Sequence, residues 1–158
     1  MAMRTATFAT MLLPLLLASA CANAPRTRAH APPPDAAAAA TTLLYDDLGG
    51  TAGIERVVDA TLAIVHADPH INLFFENSDI PDLRRLLVEQ ICAASGGPCE
   101  YTGRTMEEAH SGMGLTDEDF DRFVADLVAA MDGLAVPKPL QQRLLALLGP
   151  MRPEIVGQ

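Results

Sequence analysis

The residues best suited to chemistry in this chain are a histidine and two methionines. Met106 precedes His110 by four residues and Met113 follows it by three. On a helical turn that spacing sets two soft, flexible apolar side chains beside one imidazole. An imidazole presented from apolar surroundings can coordinate a metal through one ring nitrogen while the other donates to a backbone or side-chain acceptor. On spacing alone, a single histidine among apolar residues is more often a packed, hydrogen-bonded core residue. His66 and His70, in HADPH, have the spacing of two ligands on one helix face. Pro69 disturbs that helix, however, and no nearby cysteine completes the four ligands of a structural zinc site. The chain contains no GxSxG, HExxH, P-loop or GxGxxG pattern. Nucleophilic hydrolysis, zinc proteolysis and nucleotide binding therefore have no residues to rest on.

The three cysteines bear on the compartment. Arg4, the apolar run Met11 to Leu17 and the small residues after it read as a signal peptide over residues 1–20, too short to span a membrane as a mature helix. Ala18, Ser19 and Ala20 stand directly before Cys21 in the manner of a bacterial lipobox, with Cys21 the lipidated first residue of the mature chain. The competing site, cleavage after Ala24, gives a freely secreted protein with Pro25 just beyond the cut. Lipidation of Cys21 leaves Cys92 and Cys99 as a possible disulfide in an oxidising envelope; the alternative is two free thiols.

Residues 21–41 are rich in Ala and Pro, form no periodic apolar face and read as a tether, which leaves 42–158 as one folded domain. In that domain four helical segments follow from apolar spacing. Ile54, Val57, Val58, Leu62 and Val65 recur at helical intervals until Asp68-Pro69, and a short piece carrying Leu73, Phe74 and Phe75 follows. Asp79 can cap a helix bearing Leu83, Leu86, Leu87 and Ile91 that ends before Gly96-Gly97-Pro98. Thr116 and Asp119 form a box-like cap ahead of Phe120, Phe123, Val124, Leu127 and Met131. The last helix starts near Pro139, carries Leu140, Leu144, Leu147 and Leu148, and is kinked by Pro150. Nothing alternates with period two, so the domain is all-α. Between the second and third helices lies Ser95 to Gly114, with only a short helical piece around Met106 to Ser111. Helical domains seldom carry so long an irregular connection unless it is functional, and His110 lies inside it.

Residues 42–158 hold 8 Lys/Arg against 19 Asp/Glu, a net charge of −11. Nucleic acid is excluded as a partner, because binding it depends on cations that neutralise phosphates. With no Trp and 4% aromatic residues, the core is built mainly from aliphatic side chains and has room for a guest.

From Leu44 to Val156 the chain resembles the group 1 truncated haemoglobins, two-over-two helical sandwiches around haem b. The landmarks are LYDDLGG, INLFF, the GGP turn, YTGRTMEEAH and the helix opening at Leu115-Thr116. The resemblance implies that His110, the last residue of YTG-x-x-M-x-x-x-H, is the proximal iron ligand. It also places Phe75 against the porphyrin face and Met106, Met113 and Phe120 on the proximal side. Tyr101 either bonds near the haem edge or anchors its own loop. The position where studied members carry a Tyr that bonds bound oxygen falls at Leu62, and the helper positions, often Gln, fall at Leu83 and Leu87. Gln90 is the nearest polar residue on that helix. A pocket walled by leucines there lacks a donor for the polar iron–oxygen unit.

The implied protein binds haem b and the diatomic gases O2, CO and NO, or carries electrons for an unidentified redox partner. It would sit in a bacterial envelope, touching the membrane through its lipid alone, or be free in the periplasm. The alternatives are a haem-dependent enzyme detoxifying nitric oxide or peroxide, and a haem-free helical interaction module.

Overall fold

The computed structural model describes residues 43–158; the leader, Cys21 and the tether lie outside the described residues. The described residues form seven α-helices and two 3-10 turns, with no strand among them, so the all-α expectation holds. The helices are α1 (Leu44–Asp47), α2 (Gly50–Ala67), α3 (Ile80–Ala94), α4 (Met106–His110), α5 (Asp117–Gly133), α6 (Lys138–Leu148) and α7 (Arg152–Ile155). One 3-10 turn, Asn72–Phe75, lies between α2 and α3, and the other, Gly149–Met151, joins α6 to α7.

Two of the expected helices start at the side-chain caps read from the sequence. The Asp79 carboxylate accepts the Asp82 N–H at 3.1 Å at the head of α3. At α5, Thr116 Oγ1 accepts the Asp119 N–H at 3.2 Å and Asp119 returns the favour to the Thr116 N–H at 2.9 Å, closing the box expected there. Two features differ from the expectation. LYDDLGG contains a turn of helix, too short for periodicity to reveal. Pro150 and Pro153 end α6 rather than kink it, because neither can supply the N–H that a continuous helix needs.

The long helix α2 packs against both α3 and α5, while α1 packs on α2 and α6. At the centre lie Leu48, Ile54, Val57, Val88, Ile91, Leu127, Met131 and Leu144, all buried. At Gly53 the start of α2 crosses the α1 turn so closely that a Cβ would lie 1.8 Å from the Leu48 carbonyl oxygen. Only glycine permits that approach. Beside this layer, residues of α2, α3, α4, α5 and the C-terminal segment enclose the space that is the site.

Candidate functional site: an apolar cavity presenting His110

Between α3 on one side and α4 and α5 on the other is a cavity of about 480 Å³. Its wall is mostly aliphatic and aromatic: Leu83, Leu86, Leu87 and Ile91 of α3, Phe74 and Phe75 of the 3-10 turn, Phe120, Phe123 and Leu127 of α5. His110 stands in this wall with Met106 and Met113. Phe75, Leu83, Leu87, Met106, His110, Met113 and Phe120, singled out from the sequence, are among the lining residues.

The ring of His110 is held from behind. Its Nδ1 lies 2.7 Å from the carbonyl oxygen of Met106, one turn earlier. A carbonyl only accepts, so Nδ1 carries a proton and donates, and in the neutral ring Nε2 keeps its lone pair. That is the tautomer a metal ligand requires, fixed by the partner of the other nitrogen.

A single turn of helix does not hold itself, so the surroundings of α4 must do so. Thr105 Oγ1 accepts the Glu108 N–H at 3.2 Å, and the Glu108 carboxylate accepts the Thr105 N–H at 3.3 Å. Upstream, Glu89 of α3 accepts from the N–H and hydroxyl of Thr102 at 3.0 and 2.7 Å. These bonds and Arg85 hold the Glu89 carboxyl below the usual carboxylate range. The Tyr101 hydroxyl donates to the Arg104 carbonyl at 2.8 Å and so anchors its own loop, while the residue also lines the cavity. Burial raises its pKa above that of a free phenol. Cys92 and Cys99 are joined in a disulfide, their Cα atoms 5.7 Å apart, tying the start of this connection to the end of α3.

Leu62 needs correcting. It does not line the cavity but faces a separate hollow of about 50 Å³, with Val65, His66, Phe75 and Ile80. Successive helical residues point about 100° apart, so Thr61 takes the cavity position while Leu62 lines the second hollow beside Phe75. Gln90 does line the cavity, but its amide nitrogen lies 3.2 Å from Met106 Sδ and 3.4 Å from Met151 Sδ.

The sequence did not reveal the C-terminal wall. Met151, Arg152 and Ile155 close one side of the cavity. Arg152 bonds Asp117 at 2.7 Å, pairs with Asp121 and lies 4.3 Å over the Phe120 ring. The Gly157 N–H donates to the Leu115 carbonyl and the Gly114 N–H to that of Gln158, each at 2.9 Å. These partners are distant in sequence, and no periodic pattern announces them.

A family model of bacterial-like globins matches residues 43–156. The chain belongs to the truncated globins, group 1. It is 34% identical over 112 residues to a group 1 truncated hemoglobin of Mycolicibacterium paratuberculosis, covering 71% of this chain and 82% of that one. A Synechocystis group 1 truncated hemoglobin is also 34% identical over 110 residues, covering 67% and 89% of the two chains. Among solved structures, the Fe(III) form of truncated hemoglobin from Tetrahymena pyriformis superposes with a TM-score of 0.71 at 27% identity, covering 74% of this chain and all of that one (100%). A Synechococcus 2/2 hemoglobin in the cyanomet state, with covalently attached heme, superposes at 0.69 with 29% identity, covering 74% of this chain and 100% of that one. The two-over-two globin sandwich is therefore the fold of this truncated globin.

Proposed function

We propose that this truncated globin binds haem b through His110, binds O2, CO and NO at the iron or carries electrons, and does so from a lipid anchor in the bacterial envelope. The observation that carries the reading is the His110 Nδ1–H donating to Met106 within an apolar cavity. The residues fit haem: an imidazole for the iron, Phe75 and Phe120 for the macrocycle, and the Arg104 cation in the wall for a carboxylate. When bound, haem supplies the iron that takes the gas or the electron. The protein would contribute the His110 imidazole as the residue that holds the iron, together with an apolar lining and orientation. The relatives named above, a truncated hemoglobin in an Fe(III) form among them, support the cofactor.

The experiment is reconstitution of the purified chain with haem. A Soret band at one haem per chain is expected for the wild type. His110→Ala should lose stoichiometric binding or give the spectrum of iron without axial imidazole. An unchanged spectrum and haem content in that variant overturns the assignment.

The envelope half rests on the leader, on Cys21 and on the even pair of cysteines that remains. Among the described residues no helix is long and apolar enough to cross a membrane. Expressed with its own leader in a Gram-negative host, the protein should fractionate with membranes and carry acyl mass on Cys21. Cys21→Ala should release it. A soluble periplasmic chain cleaved after Ala24 would establish the freely secreted form, and a cytosolic chain with intact leader would overturn export.

A further inference from the structure

Gln90 is a polar residue in a stretch of α3 that otherwise gives the cavity Leu83, Leu86, Leu87 and Ile91. Its amide nitrogen has two protons, and two thioether sulfurs lie within reach, Met106 Sδ at 3.2 Å and Met151 Sδ at 3.4 Å. A thioether is a weak acceptor. In an apolar wall the alternative is an amide with no partner at all, which costs more than the weak bond yields.

Three segments meet at this amide: α3, the first residue of α4, and the 3-10 turn after α6. Met106 is therefore held twice. Its side chain bonds Gln90, and its carbonyl accepts the proton of His110 Nδ1. Met151 is held twice as well, since the next residue, Arg152, is locked to α5 by Asp117 and Asp121. The five residues of α4 are too few for intrinsic helical stability, so an added fastener at their first position matters.

We propose that Gln90 is a positioning residue for His110: by joining Met106 to Met151, its amide fixes the single turn that presents the ring and keeps the proton on Nδ1. The inference rests on His110 as the iron-binding side chain. Its test does not need the iron.

In the haem-free full chain, ¹⁵N spectra of His110 report which ring nitrogen is protonated, and hydrogen exchange at Ala109 and His110 reports opening of the turn. The wild type should show the Nδ1–H form. Gln90→Met, of similar length but without a donor, should give a mixture with the Nε2–H form and exchange roughly fivefold faster at both amides, the factor expected for one hydrogen bond. Met106→Leu, which removes the acceptor and leaves Gln90, should do the same. The double variant should be no worse than either single one, because one linkage is lost in each case. Should Gln90→Met fail to fold, Met106→Leu decides alone. Wild-type tautomer and exchange in the folded single variants overturn the proposal, as do additive effects in the double variant. In the haem-loaded protein the iron–histidine stretching frequency should shift in both variants. An unchanged spectrum and haem content in His110→Ala would sink the iron-ligand reading on its own, while the haem-free spectra still judge Gln90.

Discussion

The hydroxyl of Thr61 lies 2.8 Å from the carbonyl oxygen of Val57, one turn earlier on α2, and donates its only proton there. Thr61 is the residue of α2 that replaces Leu62 in the cavity wall, so the position offers no free donor to a bound gas. Leu83 and Leu87 offer none, and the amide of Gln90 is taken by two sulfurs. Bound O2 therefore lacks a hydrogen bond from these side chains. O2 release should be fast, and CO, which is less polar when bound, should be favoured. Leu87→Gln should slow O2 dissociation about tenfold if its amide adds about 1.4 kcal/mol. Stopped-flow release from the two proteins measures it, and slow release in the wild type would show that another donor reaches the gas.

The Cys92–Cys99 disulfide closes a short loop and fixes the start of the connection that carries His110. Replacing both with Ala should lower unfolding free energy by on the order of 2 kcal/mol in denaturant titration, chiefly through the unfolded chain. Intact mass of the envelope-expressed wild type should show both thiols oxidised.

Gly53→Ala should be among the most damaging small substitutions. The new methyl would overlap the Leu48 carbonyl, which is backbone and has no rotamer to change. A loss of roughly 2 kcal/mol or more is expected, read as a lowered thermal midpoint.

Asp126 is buried and one of its carboxylate oxygens has no partner, while Asp68, also buried, pairs with Arg122. Burial, then the charge of Asp68, raises the Asp126 pKa, whereas the hydrogen bond from Arg122 lowers that of Asp68. A carboxyl whose folded pKa is raised stabilises the fold while protonated and loses that contribution as pH rises through the raised value. Asp126→Asn should thus gain stability over the wild type as pH rises from about 4 towards 7, from the ordinary carboxylate range upward. Asp68→Asn should behave oppositely, since its contribution is present at neutral pH and fades as pH falls through its lowered value. Thermal melts between about pH 4 and 7 test the first sign, and parallel curves for Asp126→Asn and the wild type there would refute it; melts continued below about pH 4 test the second.

Much of the site was legible because its signals are local. The caps at Asp79 and Thr116, the apolar spacing of α2, α3 and α5, and the pattern ending in His110 each depend on residues a few positions apart. A helix imposes its period on whatever it buries, so the period could be read backwards. Three things were decided only by tertiary packing. Whether Thr61 or Leu62 faces the cavity depends on the rotation of α2, and both choices satisfy the same apolar period. The partners of Tyr101 and Gln90, the Arg104 carbonyl and the sulfurs of Met106 and Met151, appear only once the loop and the C-terminal turn are placed. The wall made by Met151, Arg152 and Ile155 exists because two prolines stop α6 and the chain end then bonds Leu115, Gly114, Asp117 and Asp121. Sequence determined most of the helical turns and, through the family pattern, pointed to His110; the direction of each side chain was set where segments distant in the chain compete for the same space.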